Sequence, residues 1–191
     1  MSSLGSSERK LLLEVARSSV ARAVEGLELL EDLPQNEILH RPGGAFVTLR
    51  ARKRLRGCIG QLPSRDPLVR VVAHCAKSAA LEDPRFAPLR KHELPEIRIE
   101  ISVLSPLEDV TPQQIEVGKH GLVVSRGWLR GVLLPQVAIE FGWNAGRFLE
   151  ETLAKAGLEA DAWKDPQTRI QAFTADVFSE SEFTSGDAAQ P

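Results

Sequence analysis

Apolar residues recur along the chain with two distinct periods. Leu12, Val15, Ala16, Ser19, Ala23 and Val24 fall on one side at helical spacing, and this predicts a first helix. Ser6 or Ser7 caps it, with Glu8 near its positive end, and Gly26 and Leu33-Pro34 end it. After a loop punctuated by Pro42-Gly43-Gly44, Ala45–Leu49 reads as a strand, and Gly57–Leu62 returns as a second. Leu68, Val71, Val72, Cys75, Ala76 and Ala79 repeat at three- and four-residue steps, the clearest amphipathic helix in the chain, with Asp66 as N-cap and Pro67 at the first helical position.

Beyond Asp83-Pro84 the period changes. Ile97, Ile99, Ile101 and Val103 alternate with Arg98, Glu100, Ser102 and Leu104, as in a half-buried strand. Thr111-Pro112 opens a short helix to about Val117. Leu122–Ser125 and Trp128–Leu134 form a hairpin around Arg126-Gly127, and Gln136–Phe141 make a helical turn. Asn144 caps a helix running to about Ala156, with Gly157 beyond its end. Trp163 reads as a core anchor. Arg169–Phe178 alternates as one last strand, with Gln171, Phe173, Ala175 and Val177 on a single face. From about Ser181 the chain turns polar and small, so a frayed tail is expected over 181–191. Strands arriving as hairpins and as helix-separated segments favour a largely antiparallel α+β fold over a doubly wound one.

Composition narrows the function classes. The chain has 191 residues, 42% hydrophobic and 26% charged, enough to bury a core. A net charge of -2 supplies no global basic field for nucleic acid. Only the tip from Arg50 to Arg56, basic except at Ala51 and Leu55, argues the other way, and such a run reads first as a solvated turn. No apolar stretch approaches the roughly 20 residues of a spanning helix, and Glu14 and Arg17 interrupt the first apolar run. Cys58 and Cys75, the only cysteines, lack CxxC spacing. Both are expected as free thiols in a reducing cytoplasm. Four scattered histidines offer no zinc spacing, so no metal site is expected. P-loop, GxGxxG, GxSxG and HExxH motifs are absent.

Cys58 is the first chemical candidate, flanked by Gly57 and Gly60 and close to the basic tip. Arg54 and Arg56 would favour its thiolate, whereas a cysteine in a strand also serves as a small buried hydrophobe. Cys75 points into its helix's apolar stripe. His120, in Gly118-Lys119-His120-Gly121, is read as a base, as an anion ligand or as a plain surface turn residue. His74 is expected on a solvated helix face. Asp83, Glu100 and Glu140 could do acid–base work, but no spacing pairs them. Arg85-Phe86 reads as a helix-stop packing element.

Leu55-Arg56-Gly57-Cys58-Ile59-Gly60 resembles the signature of the AMMECR domain family, which includes the AmmeMemoRadiSam system protein A group. Ala45–Leu49, Asp83-Pro84-Arg85-Phe86, Ile99–Leu104, Gly118–Leu122, Leu133–Val137 and Lys155–Leu158 resemble its recurrent blocks in the same order, over about Leu11 to Glu180. The resemblance implies one domain over 8–180 built of two unequal α/β subdomains. Each would have an antiparallel sheet flanked by helices, the larger would hold both termini, and the signature would face a cleft between them. This chain departs from the family at the hairpin tip, where relatives often carry Asn or Gly and this one carries Ala51-Arg52-Lys53-Arg54.

Two functional readings stay open. In the first, an enzyme uses Cys58 as nucleophile and His120 as base, with Arg56, Gly57, Gly60, Arg85, Gln136 and Trp143 lining the substrate. In the second, a non-catalytic module grips a peptide or partner in the same cleft, with Trp128 or Trp143 as anchor. The family name implies Memo-type and radical-SAM proteins as pathway partners, and the cleft ligand is an unknown small molecule or peptide. The cofactor stays unknown, although two cysteines cannot ligate an iron–sulfur cluster in the usual four-thiolate way.

Overall fold

The computed structural model describes residues 4–184. Its described residues form two compact units, one of 4–104 with 176–184 and one of 105–175. In order, the elements are α1 (Ser6–Val24), β1 (Gly44–Ala51), β2 (Arg54–Gln61), α2 (Leu68–Leu81), β3 (Ile97–Leu104), β4 (Glu108–Asp109), β5 (Gly121–Arg126), β6 (Leu129–Leu133), α3 (Pro135–Glu140), α4 (Ala145–Lys155), β7 (Arg169–Phe173), β8 (Ala175–Ser179) and α5 (Ser181–Thr184). The class is α+β, with two four-stranded sheets ordered β2-β1-β3-β8 and β4-β7-β5-β6.

In the first unit, α2 packs on β1 and β2, and α1 packs on α2. Strict alternation drives this. Ala45, Val47 and Leu49 of β1 and Ile97, Ile99 and Ile101 of β3 lose all solvent contact beneath the helices. Burying each of the larger of these side chains contributes about 1.5–3 kcal/mol. Phe46, Thr48 and Arg50 therefore point to the opposite face. In the second unit, Leu122 and Val124 of β5 and Ile170 and Ala172 of β7 pack against Phe148, Leu149 and Leu153 of α4. The side chain of Asn144 accepts the Arg147 amide at 2.9 Å and caps α4 as its sequence predicts.

Several sequence expectations are corrected. The N-cap of α1 is Gly5, so Ser6 and Ser7 lie inside the helix. Pro67, not Asp66, is the N-cap of α2. Asp66 instead accepts from Gln61 Nε2 at 2.9 Å and Ser64 Oγ at 3.0 Å, folding the preceding loop. The helix after Thr111 is a single 3-10 turn, Pro112–Gln114. Trp163 is exposed rather than a core anchor. The last alternating run breaks at Thr174 into β7 and β8, which join different sheets. Ser181–Thr184 form a short helix, and the rest of the expected tail lies outside the described residues. Among the described residues no helix is long and apolar enough to cross a membrane.

Candidate functional site

The signature lies on β2, an edge strand joined to β1 by the two-residue turn Arg52-Lys53. Both turn residues have left-handed φ, 49° and 67°, as a tight hairpin following the strand twist requires. A register shift between Leu49 and Arg50 leaves Arg56 as an extra residue on β2. The shift sets Cys58 opposite Thr48, which on its other side is opposite Glu100 of β3. Directly opposed residues share a face. Cys58, Thr48 and Glu100 thus form one row across three strands, on the face turned away from α1 and α2. The Thr48 hydroxyl donates to Cys58 Sγ at 3.4 Å, and Arg50 Nη2 lies 3.5 Å from Glu100 Oε1. Cys58 is half-buried, and Thr48 is nearly closed off at 7% exposure.

The rest of the signature holds this strand in place. A Cβ on Gly57 would sit 2.1 Å from the Ala79 carbonyl oxygen, so only glycine lets the end of α2 come this close. A Cβ on Gly60 would lie 2.1 Å from the Phe46 ring, which covers that position. Arg56 donates to both oxygens of Glu93, at 2.8 and 3.1 Å, and to the Ala87 carbonyl at 3.0 Å. That hydrogen bond, more than any other influence, holds the Glu93 carboxyl below its ordinary range.

The outer edge of β2 is occupied at Cys58. Asp83 Oδ2 accepts the Cys58 amide at 2.8 Å, while Arg85 Nη2 donates to the Cys58 carbonyl at 3.3 Å. Arg85 also grips Asp83, with Nη2 2.7 Å from Oδ2 and Nε 3.0 Å from Oδ1. The Asp83 side chain is 2% exposed. The Arg85 hydrogen bonds, joined by the Cys58 and Arg85 amides, hold its carboxyl well below the usual carboxylate range despite burial. The Asp83–Phe86 block thus braces the signature strand as well as stopping α2.

Cys58, Arg56, Gly57, Gly60 and Arg85 are brought together in the first unit. His120, Gln136 and Trp143 belong to the second. His120 Nδ1 accepts the Glu116 amide at 3.1 Å. Gln136 is exposed on the first turn of α3. Trp143 stacks on exposed Phe141, with ring centroids 4.9 Å apart, and Trp128 is 90% exposed. Cys75 is buried, and its thiol is pushed up to about 11, chiefly by burial. Among the described residues no three His, Cys, Asp or Glu side chains gather as metal ligands.

Thr48 and Arg50 are site residues that sequence reasoning misses, and Asp83 and Glu100 gain partners that their spacing does not reveal. The available signal is alternation, which puts Thr48 on the polar face of β1 but cannot say what stands opposite.

Residues 13–178 match the family model described as AMMECR1. A protein of Methanothermobacter thermautotrophicus is 43% identical over 93% of this chain and 96% of its own length. One from Aquifex aeolicus is 40% identical over 90% of this chain and 92% of its own. The crystal structure of an uncharacterized protein from Pyrococcus horikoshii superposes with a TM-score of 0.79 at 38% identity, covering 88% of this chain and 89% of that one.

Proposed function

The chain belongs to the AMMECR1 family, and from that premise we propose that it acts through the Cys58 thiol as an enzyme of a modification pathway. The observation that carries this reading is the Thr48 hydroxyl directed at Cys58 Sγ on a strand otherwise fully braced. Gly57, Gly60 and Arg56 have packing or ion-pair duties, and Asp83 and Arg85 hold the Cys58 backbone. The thiol is what remains for chemistry. Once its proton passes to solvent, the thiolate is the nucleophilic form, and the Thr48 hydroxyl donating to Sγ would stabilise that anion.

Alkylation of the native protein by iodoacetamide near pH 7.5 tests this, with Cys75 as the internal control because it is buried and its thiol is pushed up to about 11. Selective labelling of Cys58 in the folded protein is expected. Labelling of Cys58 only on unfolding would make it a structural cysteine. The alternative would then take over: a non-catalytic module gripping a peptide, a reading supported by the exposed Phe141 ring stacked on half-buried Trp143. The pathway partners proposed on the resemblance are a Memo-type protein and a radical-SAM protein. Co-purification of the three from one expressing cell is the test, and its failure under gentle crosslinking would remove direct association.

A further inference from the structure

The second unit holds a cavity of about 540 Å³, within the range of small-ligand sites. Its apolar lining, or floor, is Val110, Ala172 and Phe173, the last two almost wholly buried, and the remaining lining residues, or rim, are polar. The rim's hydrogen bonds determine what is left for a ligand. Lys119, the rim's one lysine or arginine, is 2.8 Å from Glu116 Oε1. Asp109, beside the rim on β4, is held by both nitrogens of the Arg169 fork, at 2.6 and 2.9 Å. Gln114 Oε1 accepts the Thr111 amide at 2.8 Å. His120 uses Nδ1 on the Glu116 amide, so a neutral ring carries its proton on Nε2. Glu108 lines the same cavity, and its carboxylate has no hydrogen bond or ion pair among the described residues. The exposed Glu108 carboxylate is therefore the one charge of this lining without a protein partner among the described residues, and Lys119, which would welcome an anion, is already engaged.

We propose that this cavity binds a small organic cation, a protonated amine or guanidinium on a hydrocarbon stem. The charged head would sit on the Glu108 carboxylate and the stem would lie over Val110, Ala172 and Phe173. Charge selects the head, and area removed from water holds the stem. The site is independent of the thiol chemistry proposed for the first unit.

Amide chemical shifts of the full chain, followed during titration with pentylamine, 1-pentanol and pentanoate, test the proposal. These three probes share one stem and differ in the charge of the head. Pentylamine is expected to shift the Val110, Lys119, His120 and Thr174 amides saturably at millimolar concentration, ahead of the other two. Glu108→Gln, an isosteric change at an exposed strand edge, should weaken it about fivefold, as loss of one partly exposed ion pair does. The same spectra report whether the variant is folded. Equal binding of 1-pentanol, no effect of Glu108→Gln, or no saturable shift with pentylamine would each overturn the proposal.

Discussion

Asp83 Oδ2 accepts the Cys58 backbone amide at 2.8 Å, so a carboxylate beyond the end of α2 fixes the edge of the strand that carries the signature cysteine. The same carboxylate takes both Nε and Nη2 of Arg85. With its side chain only 2% exposed, its charge depends on these donors rather than on water.

Asp83→Asn is expected to lower unfolding free energy by about 2–3 kcal/mol, as when hydrogen bonds to a buried charge are weakened. The folded carboxyl is held below its unfolded value of about 3.9. Its contribution is therefore complete above that pH and is lost as pH falls from there toward the folded value. Urea midpoints between pH 5 and pH 2 should fall more steeply for the parent protein than for Asp83→Asn. Parallel curves would deny Asp83 this role.

Thr48→Val keeps the side chain's shape and removes the hydroxyl that donates to Cys58 Sγ. The iodoacetamide rate at Cys58 should drop about threefold to tenfold, the equivalent of one hydrogen bond to the sulfur. Thermal unfolding measured alongside should change little, which separates loss of activation from loss of fold.

The two signature glycines should respond unequally to alanine. At Gly57 the added Cβ meets a helix carbonyl at 2.1 Å, and neither backbone can yield cheaply. At Gly60 it meets the Phe46 ring down to Cγ, so that one side chain must change rotamer while both backbones stay in place. Gly57→Ala is expected to cost about 2–3 kcal/mol or more and Gly60→Ala about 1 kcal/mol, both read from chemical denaturation. The reverse order would mean that α2 shifts more easily than Phe46 turns.

Lys53 holds a φ of 67° in the hairpin turn, a conformation that costs an L-residue about 1 kcal/mol. Lys53→Gly is expected to stabilise the protein by about 0.5 kcal/mol, the relief being partly offset by the greater freedom of glycine in the unfolded chain. A small rise in Tm by calorimetry checks it. Arg52→Ala should be near neutral, because the Arg52–Glu96 pair, 2.8 Å apart, is largely exposed.

The sequence by itself determined the elements wherever one periodicity ran unbroken. The apolar stripe of α2, the strand at β1, the apolar face of β3, the Asn144 cap of α4 and the basic hairpin tip read correctly, because each depends on neighbours within a few residues, whereas Ser102 and Leu104, expected on the polar face of β3, are buried as well. The α+β class followed from how those elements alternate. What stands beside Cys58 was decided only in three dimensions. Counting back from the tip, where Ala51 pairs with Arg54, an unbroken ladder would set Val47 opposite Cys58. The shift at Leu49/Arg50 sets Thr48 there instead. Bringing a strand out of register by one residue exchanges its faces, and burial of Ala45, Val47 and Leu49 under the helices selects the shifted ladder. The same holds for Gly57, whose need arises from Ala79 on another element, and for the split at Thr174, where one alternating pattern serves two sheets. Local propensity carries no information about partners distant in sequence, and packing them supplies it.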